Sequence, residues 1–115
     1  MFKNQFARLF PGHTHLVLQL IVWNDTLWSA SYDRTIKQWN CNGQCLKTLT
    51  HTDWVRCLFV WRDLLYSASC DKTIKVWKYN GEHVRTLKGH PTSIYCLTSW
   101  RDFIVSGLYD KTVRV

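Results

Sequence analysis

The chain has 115 residues and a formal net charge of +7, from 15 Lys and Arg against 8 Asp and Glu. Hydrophobic residues make up 46% of it and aromatic residues 15%, including seven Trp, which excludes a disordered chain and favours a packed globular one. The opening stretch MFKNQFARLFPGH has no apolar run long enough for a signal peptide or a membrane span, so we expect a cytoplasmic or nuclear protein without a membrane partner.

Near its start the chain reads QFARLFPGH at residues 5–13, which matches EHVRTLKGH at 82–90 in register. The latter stretch reads as the last strand of a repeated unit, so residues 1–12 are predicted to form a strand that completes such a unit. Three units follow at 13–50, 51–89 and 90–115, and the third ends within its third strand. Internal repeats at a fixed period are the signature of repeat architectures.

The period is set by a His and an Asp that lie 20 residues apart in every copy. The pairs are His13 with Asp33, His51 with Asp71, and His90 with Asp110. Successive Asp residues are separated by 38 and 39 residues. Around each Asp the sequence is nearly constant, reading SASYDRTIKQW at 29–39, SASCDKTIKVW at 67–77 and SGLYDKTVRV at 106–115.

Within the second unit, short β-branched and aromatic runs alternate with turn residues, which predicts consecutive antiparallel strands. The strands are predicted near 54–60, 64–69, 73–77 and 82–87. Arg62-Asp63 marks a tight turn, and Asn80-Gly81 marks a hairpin turn because this dipeptide accepts positive φ. No stretch has sustained helical periodicity, so the sequence predicts an all-β protein.

The five Cys show neither CxxC pairs nor a Cys/His ladder with zinc spacing. Cys57 and Cys96 occupy equivalent points of the repeat inside apolar runs, where a free thiol behaves as a small buried hydrophobe. We therefore expect reduced cysteines, no metal site and no cofactor.

From about residue 6 to residue 115 the chain resembles the WD repeats, which form the four-stranded blades of β-propellers. The motifs GHTH, GHPT and the three Asp-centred stretches carry the resemblance. It implies three blades' worth of four antiparallel strands, with an N-terminal closing strand. The signature Trp-Asp is replaced by Trp39-Asn40 and Trp77-Lys78, and Leu108 stands where the earlier copies have Ser31 and Ser69.

The resemblance also implies a hydrogen-bonded tetrad of His, Ser, Asp and Trp in each blade, which satisfies buried polar groups. The expected members are His13, Ser31, Asp33 and Trp39; His51, Ser69, Asp71 and Trp77; and, in an incomplete third set, His90 and Asp110. A catalytic triad is needed once, whereas these residues recur in each copy, so we expect no enzyme. The third blade is expected to be the weakest.

The resemblance implies a rigid platform that binds peptides, proteins or sometimes nucleic acid on the rim around a central channel. The rim residues it implies are Leu16, Tyr32, Trp54, Cys70, Ser93 and Tyr109. Arg34, Lys72 and Lys111 follow the tetrad Asp on the same turn, so we expect them to add contacts to an acidic partner. The alternative for the aromatic ones is packing between blades. We expect a noncatalytic scaffold or adaptor with a protein or peptide partner, and the net charge suggests the alternative of a nucleic-acid-binding propeller.

Three blades are fewer than the roughly four to eight that close a propeller, so a wedge of three leaves two end faces exposed. A two-fold homodimer would close six blades, with each N-terminal strand completing a blade of the partner. The remainder of a longer propeller would also cover both faces. The sequence stops one residue short of the expected third Trp, which favours a piece of a longer propeller.

Overall fold

The computed structural model describes residues 9–115, and every regular element in this range is a β-strand. The strands are β1 (Val17–Trp23), β2 (Thr26–Ser31), β3 (Thr35–Trp39), β4 (Cys45–Thr50), β5 (Val55–Trp61), β6 (Leu64–Ser69), β7 (Ile74–Trp77), β8 (His83–Leu87), β9 (Ile94–Trp100), β10 (Phe103–Leu108) and β11 (Val113–Arg114). The strands predicted for the second unit are confirmed to within one residue at each end.

The strands form three antiparallel sheets, each built from consecutive hairpins. Blade 1 has the order β1-β2-β3-β4, blade 2 the order β5-β6-β7-β8, and blade 3 the order β9-β10-β11. The predicted all-β architecture of successive blades is therefore confirmed. Most of the strand predicted for residues 1–12 lies outside the described residues, and residues 9–12 form no strand.

Tight turns that need left-handed backbone join the first two strands of each complete blade. Asn24 and Asp25 have φ of 48° and 60°, and Arg62 and Asp63 have φ of 51° and 62°. Two successive residues with positive φ are typical of type I′ hairpin turns, whose twist matches that of the flanking strands. The turn predicted at Arg62-Asp63 is confirmed.

The blades pack face to face, and the two interfaces join equivalent residues. We call the side of a blade that meets the next blade its forward face, and the opposite side its rear face. The first interface packs Trp23, Trp28, Ala30, Ile36 and Leu49 of blade 1 against Val55, Leu58, Leu65 and Trp77 of blade 2. The second packs Cys57, Ala68 and Ile74 of blade 2 against Ile94 and Leu108 of blade 3.

The rear face of blade 1 and the forward face of blade 3 have no neighbouring blade in the described part of the chain. Leu58 is 1% exposed in the first interface, whereas its equivalent Leu20, on the rear face of blade 1, is 57% exposed. Cys57 is buried as expected, but the expectation that Cys96 is buried is wrong, because no blade covers its face. Position in the wedge, rather than residue type, decides the burial of these side chains.

Candidate functional site

A Ser hydroxyl joins the repeated His and Trp residues in blades 1 and 2. In blade 2, His51 Nδ1 lies 2.9 Å from Asp71 Oδ2, and His51 Nε2 lies 2.7 Å from Ser67 Oγ. Trp77 Nε1 donates to the same hydroxyl oxygen at 2.9 Å. In blade 1 the same three contacts, at 2.7, 2.5 and 2.8 Å, link Asp33, His13, Ser29 and Trp39.

The tetrad Ser differs from the one predicted, because Ser29 and Ser67 carry the hydroxyl rather than Ser31 and Ser69. Ser31 lies at the end of β2, where its Oγ donates to Leu16 O at 2.7 Å and accepts from Asp33 N at 3.0 Å. Ser69 makes the equivalent bonds with Trp54 O and Asp71 N. Ser31 and Ser69 therefore stabilise the turn after the second strand of each blade, and the mid-strand residues Ser29 and Ser67 belong to the tetrads.

This correction changes the account of the third tetrad. Leu108 does not remove a tetrad hydroxyl, since Ser106 supplies it and lies 3.1 Å from His90 Nε2. His90 Nδ1 is buried without a hydrogen-bond partner in the described part of the chain. Asp110 accepts instead from Thr112 N at 3.0 Å and from the Thr112 hydroxyl. The third set has therefore lost its His to Asp link.

Asp71, His51 and Ser67 are hydrogen-bonded in the order of a nucleophilic triad. Their side-chain polar atoms, however, bond to other groups of the same blade. The Trp77 indole N–H can only donate, so Ser67 Oγ accepts from it. Ionised Asp71 can only accept, so His51 Nδ1–H donates, which leaves His51 Nε2 to accept from the Ser67 hydroxyl. Ser67 is 0% exposed, so its oxygen has no path to a substrate. The arrangement ties strands together.

The tetrad carboxylates are held in their ionised form. Burial alone would raise the pKa of Asp33, but hydrogen bonds from Thr35, His13 and the Thr14 backbone outweigh it and lower that pKa from 3.8 to about 2. Burial would raise the pKa of Asp71 as well. Hydrogen bonds from His51 and Thr73 outweigh this effect, so the pKa of Asp71 lies well below its ordinary value. Burial and the nearby Arg114 charge lower the pKa of His90.

Six of the nine predicted rim residues come together in pairs, one pair on each blade. A backbone hydrogen bond closes each pair: Tyr32 N donates to Leu16 O at 2.9 Å, Cys70 N to Trp54 O at 2.9 Å, and Tyr109 N to Ser93 O at 3.0 Å. The bonds use main-chain atoms and leave the side chains outside them. The structure thus places the predicted pairs at equivalent points of three blades.

Contacts across the blade boundaries join these pairs into one edge. The Tyr32 ring of blade 1 stacks on the Trp54 ring of blade 2, with centroids 4.0 Å apart and planes 22° apart. Ser93 Oγ of blade 3 donates to Cys70 O of blade 2 at 3.3 Å. Tyr32 therefore packs between blades, while Trp54 remains 41% exposed and Tyr109 67% exposed.

Basic residues lie along the same edge. Arg34, Lys72 and Lys111 are exposed and have φ of 75°, 72° and 73°, so all three occupy the same left-handed turn position. Sequence reasoning missed Arg56, whose guanidinium lies 4.0 Å from the centroid of the Tyr95 ring and whose Nε is buried without a hydrogen-bond partner in the described residues. The sequence feature that could have indicated Arg56 is its charge, because the equivalent positions in the other two copies hold Leu18 and Tyr95.

Residues 9–115 contain no group of three or more His, Cys, Asp or Glu side chains placed to hold a metal ion. That part of the chain also has no helix long and apolar enough to cross a membrane.

The family model described as WD domain, G-beta repeat matches residues 4–40, 43–78 and 81–115. The chain belongs to the WD-repeat family. Each matched WD repeat begins with the segment that precedes a blade in the chain, so the family's repeat and the structural blade are out of phase by one strand. No curated protein sequence matched the chain.

Solved propellers share the fold of this WD-repeat chain. The WD40 beta propeller domain of Doa1 is 34% identical with a TM-score of 0.82, over 91% of this chain and 38% of that one. The computationally designed Ika4 protein is 31% identical with a TM-score of 0.78, over 90% of this chain and 66% of that one. The RRP9 WD40 repeats are 24% identical with a TM-score of 0.83, over 92% and 36%.

The WD-repeat chain spans less than two fifths of the Doa1 and RRP9 domains and about two thirds of Ika4. WD-repeat propellers commonly serve as protein-interaction scaffolds and are generally noncatalytic.

Proposed function

We propose that this WD-repeat chain is a noncatalytic scaffold or adaptor of the cytoplasm or nucleus that binds a protein or peptide partner through its rim. The observation that carries the proposal is the Tyr32–Trp54 stack, which presents an exposed indole at the boundary of two blades. Large aromatic side chains at such positions are the usual anchors of protein interfaces.

The stack makes Trp54 a suitable anchor because its ring is already ordered before a partner arrives. Tyr32 supports Trp54 on one side, and the His15 ring packs on Tyr32 with centroids 5.2 Å apart. A side chain that is fixed in advance loses little conformational entropy on binding. The exposed part of Trp54 is therefore available for contact at a low entropic cost.

The charges around the stack favour an acidic partner. Arg34 lies two residues after Tyr32, and Lys72 occupies the same turn position on blade 2. Arg56 adds a third cation beside Tyr95. Asp53, the neighbour of Trp54, is engaged by the Trp54 backbone N–H at 2.7 Å. We propose a peptide with carboxylates beside an apolar residue that packs on Trp54.

The test uses a displayed library of random peptides as the probe, with the full chain as bait. Selected peptides are synthesised, and their affinities are compared between the wild type, Trp54→Ala and Tyr109→Ala. Val84→Ala is the matched control, because Val84 is a partly exposed residue on β8 outside the rim.

We expect Trp54→Ala to weaken binding by about 30-fold or more, since a hot-spot residue contributes roughly 2 kcal/mol or more. Val84→Ala should leave the affinity unchanged, and the circular dichroism of all variants should match the wild type. Selection of no peptide, or equal affinity for the wild type and Trp54→Ala, would contradict the proposal.

The nucleic-acid alternative is favoured by the repeated exposed cations Arg34, Lys72 and Lys111. It is separated from the peptide proposal by salt. Binding of a single-stranded oligothymidine probe through phosphates would weaken steeply as salt rises, because each neutralised phosphate releases counterions. A peptide anchored on Trp54 should respond weakly. Tight, salt-sensitive oligothymidine binding with no peptide binding would replace the proposed function by this alternative.

A further inference from the structure

Each blade carries one extra residue in its first strand. The register of β5 on β6 shifts at Arg56, because the residues on either side of Arg56 pair with consecutive residues of β6. The same shift makes Leu18 the extra residue of β1 and Tyr95 the extra residue of β9. A β-bulge of this kind changes the direction of a side chain and is common beside functional sites. The three bulge residues therefore mark a repeated position from which a side chain can meet a ligand.

The bulges of blades 2 and 3 meet where the first strands of the two blades lie side by side. Strand β5 contacts β1 on one side and β9 on the other. Across the second contact, the Arg56 guanidinium carbon lies 4.0 Å from the centroid of the Tyr95 ring. The Tyr95 ring in turn contacts the ring of the rim residue Tyr109, with centroids 5.6 Å apart. Arg56 is thus held at the boundary of blades 2 and 3, next to the rim.

The Arg56 cation has no counter-ion among the described residues. Its side chain is partly buried, its Nε is buried without a hydrogen-bond partner in residues 9–115, and none of the ion pairs in that range includes it. The acid nearest in sequence, Asp53, accepts from the Trp54 backbone N–H. Both blades that flank Arg56 are described, so a neighbouring blade does not supply the partner. A partly desolvated cation without a partner is costly, and an oxyanion that pairs with it removes that cost.

Arg56 differs from the other cations of the rim because its side chain is ordered before a ligand arrives. Arg34, Lys72 and Lys111 are exposed on turns, where water and salt screen their charge. The Tyr95 ring supports the guanidinium of Arg56, and the planar donors of a guanidinium match the two oxygens of a carboxylate. Pairing at Arg56 therefore loses less conformational entropy and less solvation than pairing at the turn cations.

Arg56 lies close enough to Trp54 for one peptide to contact both side chains. The two residues are two positions apart in the chain, which places their Cα atoms within about 7 Å of each other. Alternate residues of an extended peptide have nearly the same spacing. A peptide whose apolar residue packs on Trp54 can therefore present an acidic group to Arg56 from two or three positions away.

From these features we infer that Arg56 is the residue that selects the partner, by pairing with an oxyanion two or three residues from the apolar residue on Trp54. The oxyanion is the carboxylate of an acidic side chain or a phosphoryl group, since both present two oxygens to a guanidinium. That the ligand is a peptide rests on the proposed function, whereas the oxyanion site at Arg56 can stand or fail on its own.

The first experiment uses the tightest peptide selected from the displayed library. The peptide is synthesised with Glu, with phosphoserine and with Gln at its acidic position nearest the apolar anchor. Isothermal titration calorimetry then measures the affinity of each version for the wild type, Arg56→Gln and Arg56→Lys. Arg85→Gln is the matched control, because it removes the same charge from an exposed position on the outer strand β8.

We expect the wild type to bind the better acidic peptide about 10-fold more tightly than the Gln peptide, since hydrogen bonds between charged groups are the strong ones. The better of the two identifies the source of the oxyanion. Arg56→Gln should abolish the preference, Arg56→Lys should keep part of it without the planar donors, and Arg85→Gln should keep all of it. An equal preference in the wild type and Arg56→Gln, or an equal loss in Arg85→Gln, would overturn the inference and leave the peptide proposal intact.

If the Arg56 variants unfold or no peptide is selected, nuclear magnetic resonance of the wild type decides. The Arg56 Nε–H signal is assigned by its nuclear Overhauser effects to the Tyr95 ring, and acetate and inorganic phosphate are added in turn at constant ionic strength. The Arg56 signal should shift saturably and the Arg85 signal should not, which without a selected peptide would keep the oxyanion site and contradict the proposed function. No selective shift would overturn the inference, and oligothymidine binding that depends on Arg56, without peptide binding, would overturn its assignment to a peptide.

Discussion

Blades 2 and 3 share a sequence motif but differ in what surrounds it. Blade 2 has four strands, a closed tetrad and a neighbour on each face, whereas blade 3 has three strands, no His to Asp link and one open face. The Asp-to-Thr turn is nevertheless the same in both, with Asp Oδ1 accepting from the Thr backbone at 2.9 Å in blade 2 and 3.0 Å in blade 3. Local sequence therefore specifies the turn, while the tetrad and the core depend on neighbouring strands and blades.

The largest expected effect comes from comparing a Leu on a face that a neighbouring blade covers with the equivalent Leu on an open face. Leu58→Ala should lower the free energy of unfolding by about 2–5 kcal/mol, because it leaves a cavity in the first interface. Leu20→Ala should cost only about 0.5 kcal/mol in dilute solution, where its face is open. Urea denaturation measures both. Equal losses at low concentration would mean that the rear face of blade 1 is covered in the monomer.

A second comparison concerns the closed and the open tetrad. Asp71→Asn should cost roughly 1–3 kcal/mol, because the carboxylate accepts from His51 and from the backbone of Thr52 and Thr73. Asp110→Asn should cost less than about 1 kcal/mol, since its partner is Thr112 on the same turn. Urea denaturation of the two variants tests this order. A larger loss for Asp110→Asn would show that the third tetrad is closed in solution.

The tetrad carboxylates also predict how stability depends on pH. The folded chain lowers the pKa of Asp33 from 3.8 to about 2, so the unfolded chain takes up the proton first as pH falls. Stability from this group is fully present above about pH 4 and is lost as pH falls towards 2. Circular dichroism during acid titration should show this loss, and Asp33→Asn should reduce it. An unchanged acid transition in that variant would contradict the assignment.

The smallest effect is expected at the ion pair that links blades 2 and 3 at the surface. Arg62 and Asp102 approach to 2.6 Å, but their side chains are 58% and 86% exposed. Exposed pairs contribute little, so Asp102→Ala should change the free energy of unfolding by about 0.5 kcal/mol or less. A loss above 2 kcal/mol in urea denaturation would indicate that this pair, rather than the apolar interface, holds blade 3 in place.

The strand order and the turns followed directly from the sequence, because alternation and turn chemistry are local. The predicted tetrad Ser in blade 1 was wrong. Ser29 and Ser31 both precede Asp33 in the sequence, and only the path of the strand shows which hydroxyl accepts from the Trp39 indole. The predicted burial of Cys96 was also wrong, because it depends on a neighbouring blade rather than on the local sequence.

The resemblance predicted which residues lie on the rim. It did not predict the contacts that these residues and their neighbours make between blades. The position of Arg56 over Tyr95 depends on how two blades pack, and no periodic signal encodes a contact between unrepeated residues. The same holds for the stack of Tyr32 on Trp54, which joins residues at different positions of the repeat.

The main-chain bonds beneath the rim separate support from recognition. Because N–H and C=O groups close each pair, replacing Trp54 or Tyr109 removes no bond that holds its turn. Mutation can therefore exchange the outward side chains one at a time while the backbone geometry persists. Under the proposed function, such a surface could change its partner over evolutionary time, or by selection in the laboratory, without a new fold.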